Sequence, residues 1–473
     1  MTQKFTDGTM KPEIYLLKKI TIKDLLSFPV LLALGSFVLG VVWRYWIAFY
    51  IHPASQYLSQ TDMAAYVKRA IQWFNPTRVP AITDAFHPPG TPFFLGFLHS
   101  IDPTWILAQY AQWLLSALVP LVLALIAYEL FDNRVALVTL IVSSLYYPFI
   151  KYAGYFLSEN PFIFCLVFSM WLLVRSLTVQ ESFFSYFFAL FSGLMFGISA
   201  SFKPPGLVTA VLIGLLLIVY SWKYRSRRLL FIVLIGLIGL LQILVPLSMR
   251  CMKLSDGHFC LISNYSGNAV LMGHYGNLKL GTFYDQKRKV AYSYGTPGCH
   301  PHGCTQKLSF QFGCYESDKN LKEAWKWIRA NPFEAIFYSV QHVFDLFTGN
   351  PLWPADALFY QRLEEVYLWL FWVFILLPVS FYIWQNFHSF AKLETSMLAG
   401  YILILPLIGL MISVFCTIGE VRYRIPFDAF LMILAARCWV GPASLKMKAE
   451  AENHSMKSSI DFLFSLDQKQ DQK

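Results

Sequence analysis

Carboxylates and cations standing beside long apolar runs are the residues of this chain best suited to do chemistry. Asp62, Asp84, His87, Lys151, Glu159, Lys203, Glu420, Arg422 and Arg424 all lie where a polar segment meets an apolar one. Asp62 and Asp84 could take a proton from an acceptor hydroxyl or hold a divalent cation. Lys203, Arg422 and Arg424 could neutralise a leaving phosphate, a task that suits guanidinium through its paired donors. A phosphate carried on a lipid would explain why such a set borders apolar chain. Plainer readings exist for each residue. Glu159, between Ser158 and Pro161, would favour a helix N-terminus by its charge. Lys203, before Pro204-Pro205, would anchor by snorkelling, and the arginines flank a span boundary. The gathering of the whole set on one face argues for a site, because ionisable groups near bilayer depth are costly without a partner or ligand.

The elements that must position these residues are membrane spans. Leu25–Tyr50 carries Arg44 as its one charge, and Thr104–Tyr128 carries none. Further apolar stretches cover 135–150, 155–174, 183–200, 206–221, 229–248, 364–385, 396–418 and 425–440, ten in all. A crossing needs about 20 residues, so the shorter stretches require tilt or longer ends. Of the 473 residues, 56% are hydrophobic and 14% charged, against roughly 25% charged in soluble proteins. The fold class expected is an all-α polytopic membrane protein. The first apolar run reads as a retained span rather than a cleaved signal. The net charge of +10 sits largely between spans, where it sets topology and says nothing of nucleic acid. Lys4, Lys11, Lys18, Lys19 and Lys23 precede the first span, Lys223, Arg225, Arg227 and Arg228 follow the sixth, and Lys446 and Lys448 follow the last. With ten spans these clusters share one side, the cytoplasm by the positive-inside rule. The expected organisation is a cytoplasmic leader (1–24), a transmembrane module (25–248) containing external loop 51–103, a second external loop (249–363), a further transmembrane module (364–443) and a cytoplasmic tail (444–473).

In the first loop, Met63, Val67, Ala70, Ile71 and Phe74 recur at helical spacing, which predicts an interfacial helix over 62–74 ending at Asn75-Pro76. Thr91–Leu98 is apolar but too short to span, hence re-entrant or interfacial. In the second loop, 251–318 reads as irregular chain. Residues 319–347 read as one or two amphipathic helices with a stripe of Trp325, Ile328, Phe333, Ile336, Val340 and Phe344. Cys251, Cys260, Cys299, Cys304 and Cys314 lie in this loop; an external compartment permits disulfides, and five leave one unpaired. Cys299-His-Pro-His-Gly-Cys304 alternatively offers zinc ligands, though crowded ones. No internal repeat is visible. Asn264-Tyr-Ser266 is a sequon, a pattern too short to carry weight.

Four segments, Asp62-Met-Ala-Ala-Tyr66, His87-Pro-Pro-Gly-Thr-Pro-Phe-Phe94, Ser158-Glu-Asn-Pro161 and Gly419-Glu-Val-Arg-Tyr-Arg-Ile-Pro426, resemble the GT-C glycosyltransferases. The likeness is to the protein mannosyltransferase-like and aminoarabinose transferase-like branch (glycosyltransferase family 39-like). Order, spacing and side of the membrane carry it over roughly residues 25–440. It implies a GT-C-like bundle and inverting transfer of a sugar from a polyprenyl-phosphate donor. The acceptor would be an envelope glycan, lipid or protein at the external face of the plasma (inner) membrane. Asp62 matches the acidic residue of the family's first external loop, and Asp84 the second acidic position. Many relatives carry Asp-Glu where this chain has Asp62-Met63, which leaves one carboxylate fewer for a divalent cation, so no cofactor is certain. Lys203, Arg422 and Arg424 are expected at the donor phosphate. Tyr66, His87, Lys151, Glu159 and Glu420 are expected to support them. Two rivals remain open. A secondary transporter or lipid flippase would place coupling carboxylates inside the membrane, but paired, similarly interrupted spans are absent. A noncatalytic assembly subunit would keep the scaffold without turnover. Sugar, acceptor and prenyl length are not legible.

Overall fold

The computed structural model describes residues 27–54, 58, 61–179, 183–274, 282–285, 290–293, 316–348 and 358–441. The leader, the tail and Cys299, Cys304 and Cys314 lie outside the described residues. The first helix among the described residues is α1 (Phe28–Trp46). In the first loop come α2 (Thr61–Trp73) and α3 (Gly90–Ile101), which pack on each other. Then follow α4 (Ile106–Leu130), α5 (Asn133–Leu145), α6 (Glu159–Thr178), α7 (Phe183–Phe202), α8 (Pro205–Tyr224) and α9 (Arg227–Leu254). The second loop holds α10 (Ser266–His274), a hairpin of β1 (Thr282–Asp285) and β2 (Val290–Ser293), α11 (Ser317–Ala330) and α12 (Pro332–Thr348). Last come α13 (Leu358–Phe371), α14 (Leu377–Gln385), α15 (Leu398–Phe415) and α16 (Val421–Val440).

Among the described residues eight helices are long and apolar enough to cross a membrane, and a ninth if α5 and the segment Tyr147–Gly154 form one span bent by 53°. The protein is therefore an all-α polytopic membrane protein apart from the short hairpin. The expected count of ten is lowered by the stretch at 425–440. It lies in α16, which at 20 residues is as long as a span but carries Arg422, Arg424, Asp428 and Arg437. From Arg424 to Ala436 this helix is buried, packed against α4, α5, α6, α12, α14 and α15. It is the centre of the bundle. Around it, α7 and α9 approach so closely that a Cβ at Gly193 would lie 1.8 Å from the Gly236 carbonyl oxygen. Such small-residue contact brings two apolar helices together where lipid leaves little hydrophobic drive.

The break after α5 has a local cause. Pro148 has no N–H to give the carbonyl of Ser144 four residues earlier, and that carbonyl accepts instead from Arg44 Nη1 at 2.7 Å. Arg44 also donates to the carbonyls of Gly40 (3.0 Å) and Ser143 (3.3 Å) and to Ser116 Oγ (3.2 Å). The lone charge of the first apolar run thus caps a broken helix and ties α1 to α4 and α5.

In the loops, α2, α11 and α12 form where periodicity placed them. Phe333, Ile336, Phe337, Val340 and Phe344 of α12 are exposed, as an interfacial helix requires. The expectation of irregular chain over 251–318 is corrected by α10 and the hairpin. Cys251 and Cys260 are disulfide-bonded, closing the turn beyond α9.

Replacing Arg44 by Met should leave the Ser143 and Ser144 carbonyls buried without their donor, at about 1–3 kcal/mol each. A fall of several degrees in the thermal unfolding midpoint of the detergent-solubilised protein is expected; an unchanged midpoint would sink the capping argument.

Candidate functional site

Helix α2 starts with Asp62 in its first turn, and α16 starts just beyond Gly419-Glu420 with Arg422 in its own first turn. The two turns meet. Arg422 Nη1 lies 3.0 Å from Asp62 Oδ2, and Arg422 Nε lies 2.7 Å from Glu420 Oε2. Beside them the start of α6 faces the end of α7, where Lys203 Nζ donates to Glu159 Oε1 at 2.8 Å. Tyr423 lies between the pairs, its ring centre 5.4 Å from Lys203 Nζ and 5.3 Å from the Arg422 guanidinium carbon. Five charged residues separated by up to 360 positions thus converge, with Tyr423 among them, at one end of the bundle. Helix α8 runs from this end to Lys223, which donates to the carbonyls of Lys392 and Leu393. The basic break at 223–228 is therefore at the other end.

The pairs differ in access. Asp62 keeps 42% of its side-chain surface open, Arg422 17% and Glu159 6%. Crowding by protein is the largest influence on the Asp62 carboxyl and pushes it up, but the surrounding positive charges, Arg422 foremost with His87 and Lys203, together outweigh it and hold it below the usual carboxylate range. His87 is lowered to about 4 by desolvation and by the positive charge of Arg69, so it is neutral at pH 7. Its ring meets Tyr66 edge-on at 5.7 Å and stacks on Tyr265 at 6.2 Å. Desolvation and the charges of Asp62 and Glu159 raise the Tyr66 phenol, which keeps it a neutral hydrogen-bond donor.

Asp84 stands apart from Asp62 in its surroundings. It is 2% exposed, and its carboxylate accepts from Trp73 Nε1 (2.9 Å), Arg78 Nη2 (2.8 Å) and the Ala81 N–H (2.9 Å). Those bonds hold its pKa down against desolvation. Because Trp73 ends α2, Asp84 anchors the helix that carries Asp62. Arg250 stacks over Trp73 at 4.4 Å, extending the anchor to α9. A divalent cation shared by Asp62 and Asp84 does not fit this arrangement: the oxygens of Asp84 are taken by three donors, and Asp62 faces a guanidinium. Among the described residues no group of three or more His, Cys, Asp or Glu side chains could hold a metal. Met63, where many relatives of the resembled family carry Glu, is fully buried in the apolar core.

Arg424, expected at the donor phosphate, is instead withdrawn into the bundle. It is 2% exposed, with Nε on Asp428 Oδ1 at 2.9 Å and Nη1 on the Leu346 carbonyl at 3.0 Å. Asp428 also accepts from the Tyr146 hydroxyl at 2.8 Å. Two residues along a helix is a turn of about 200°, so Arg422 and Arg424 cannot share a ligand. Lys151 is buried and lines, with Arg424 and Tyr146, a cavity of about 20 Å³.

Sequence reasoning missed several participants. Tyr423 and Tyr265 are aromatic residues in an aromatic-rich chain and carry no signal of their own. Asp345 sits on α12, where desolvation and the nearby Glu420 raise it to about 6; its place as a lone carboxylate between Phe344 and Leu346 was the available hint. The link from α15 to α16 is held by close approaches: a Cβ at Gly273 would lie 1.9 Å from the Thr417 carbonyl oxygen, and one at Gly419 would lie 1.8 Å from that of His342. His342 in turn reaches the Gly273 carbonyl at 3.0 Å. Helices α10 and α12 thereby seat the segment that presents Glu420 and Arg422.

Residues 86–248, about a third of the chain, match the family model described as dolichyl-phosphate-mannose-protein mannosyltransferase. That stretch includes His87, Lys151, Glu159 and Lys203. Among solved structures, the chain is similar to the apo oligosaccharyltransferase of Archaeoglobus fulgidus, at 10% identity and a TM-score of 0.50. That match covers 92% of this chain and 54% of that one. It is similar also to that enzyme tethered through a disulfide bond to an acceptor peptide containing the NVT sequon, at 11% identity and a TM-score of 0.50 over 92% and 53%. This chain spans about half the length of those structures. The likeness is one of fold. No curated protein matches the chain in sequence.

The contrast between the two aspartates predicts opposite stability effects. Asp84→Ala should lower stability by about 2–4 kcal/mol, since it strands buried donors. Asp62→Asn should change it by less than about 1 kcal/mol, as for pairs open to solvent. Thermal unfolding in detergent checks both, and equal losses would overturn the assignment of Asp84 as anchor.

Proposed function

We propose that the protein transfers a sugar, with inversion, from a polyprenyl-phosphate donor to an envelope glycan, lipid or protein. The reaction would take place at the external face of the plasma membrane. The observation that carries this reading is the Asp62–Arg422 pair at one end of the bundle, open on the Asp62 side and flanked by Lys203 and Tyr423. In the proposed reaction the acceptor hydroxyl attacks the anomeric carbon from the face opposite the phosphate. Asp62 takes the hydroxyl proton, the bond from the anomeric carbon to the phosphate oxygen breaks, and the lipid phosphate leaves with the electron pair. Arg422 and Lys203 neutralise the charge that grows on it. Tyr423, touching both cations, keeps them side by side. Tyr66 and His87, both neutral, offer hydrogen bonds to the sugar or acceptor. Asp84 serves through α2 rather than at the reacting atoms, and Arg424 through α16. The external assignment draws on charge: the site is at the end of α8 away from the basic break at 223–228, which belongs in the cytoplasm. The matched family segment and the shared fold support the reaction class.

Purified protein in liposomes, given radiolabelled polyprenyl-phosphate sugars and envelope acceptors, should transfer label, and Asp62→Asn should slow transfer by about 10²–10⁴-fold, the usual yield of a general base. Absence of transfer by the unaltered protein to every acceptor would sink the proposal. The pH profile identifies the base. Asp62 is depressed, so kcat/KM, which reports the free enzyme, should hold as pH falls through the ordinary aspartate value of about 3.9 and decline only below it. An acid limb near 6 would point to Asp345 instead.

A further inference from the structure

Both cations of the site already have anionic partners. Arg422 touches Asp62 and Glu420, and Lys203 touches Glu159. A phosphate arriving here meets no uncommitted positive charge among these pairs and must compete with a carboxylate. The three carboxylates are not equally displaceable. Glu159 is enclosed, and a buried charge stripped of its partner is costly. Glu420 is two residues from Arg422, on the segment that the close approaches at Gly273 and Gly419 hold in place. Asp62 belongs to a separate helix and is the most open of the three, so its pairing is the weakest to lose.

We propose that Asp62 and the donor phosphate compete for the Arg422 guanidinium, so that the Asp62–Arg422 ion pair is a latch which donor binding opens. This rests on the donor reading above and adds regulation of the same site. While latched, Asp62 is a poor base, because a carboxylate in a charge-assisted pair gives up its affinity for a proton. When phosphate takes the guanidinium, Asp62 regains that affinity and is free to accept the acceptor's proton. Glu420 is then a positioning residue: it keeps Arg422 in register as Asp62 leaves. Base strength and leaving-group neutralisation are coupled through one side chain. The lipid monophosphate released by the reaction carries more charge than the diester donor and holds the latch open until it departs.

The consequence is contrary to a simple contact role, in which removing a site residue weakens binding. The test uses the full chain in nanodiscs, with undecaprenyl monophosphate as probe and undecaprenol as uncharged control. The unaltered protein should prefer the monophosphate. Asp62→Asn and Asp62→Ser should each bind it about fivefold more tightly, the equivalent of a lost pair of this exposure, with undecaprenol unaffected. Arg422→Gln should weaken monophosphate binding, and adding Asp62→Asn to it should bring no gain. Unchanged or weaker binding by both Asp62 variants overturns the latch while leaving the donor reading intact, as does a gain that persists without Arg422. Failure of the unaltered protein to distinguish phosphate from alcohol overturns the donor reading and the latch with it.

Discussion

A charge inside an apolar bundle must find an opposite charge or a set of dipoles, and the architecture follows from how each charge does so. Arg44 finds the carbonyl that Pro148 leaves free. Arg424 finds Asp428, which also holds Tyr146. Glu159 finds Lys203, and Arg422 finds Asp62 and Glu420. These pairings run from full enclosure at Asp428 to partial exposure at Asp62, and chemical availability increases along the same gradient. The enclosed networks tie helices together from within, and the open pair faces out of the bundle.

Helix α16 connects the two regimes. Its buried face makes the Arg424–Asp428 pair, one turn apart on a single helix, and Arg424 reaches across to the carbonyl of Leu346 in α12. Its opposite face, in the same turn, presents Arg422 to α2. Rotation of α16 would therefore disturb the interior network and the site together. The helix is held at its entry by glycines that admit no side chain and along its length by six neighbouring helices. A position for Arg422 held to this degree is what the proposed stabilisation of a developing phosphate charge requires.

The first loop shows why two aspartates of similar sequence context diverge. Asp84 is ringed by an indole, a guanidinium and a backbone N–H that answer its oxygens from within the loop. Asp62 meets one guanidinium from the far end of the chain. The first arrangement is self-contained and holds α2 in place; the second is incomplete by itself and is open to exchange with another anion.

The sequence by itself determined the membrane class, most spans, the amphipathic helices α2, α11 and α12, and the residue types gathered at one end. Hydropathy and helical period are local properties, and each span repeats them along some 20 residues. It also held Asp62, Glu159, Lys203, Glu420 and Arg422 together as one set, because side of the membrane can be counted along the chain. What it could not decide was pairing. Whether Arg422 or Arg424 faces Asp62 depends on the rotation of α16, and whether Asp84 reacts or anchors depends on Trp73 and Arg78 folding back onto it. The helix α10 was hidden as well, its shape imposed by the helices it packs against rather than by its own pattern. These are outcomes of three-dimensional packing between distant segments, where a turn of about 100° per residue moves a charge from the site into the core, and only the folded bundle sets that angle.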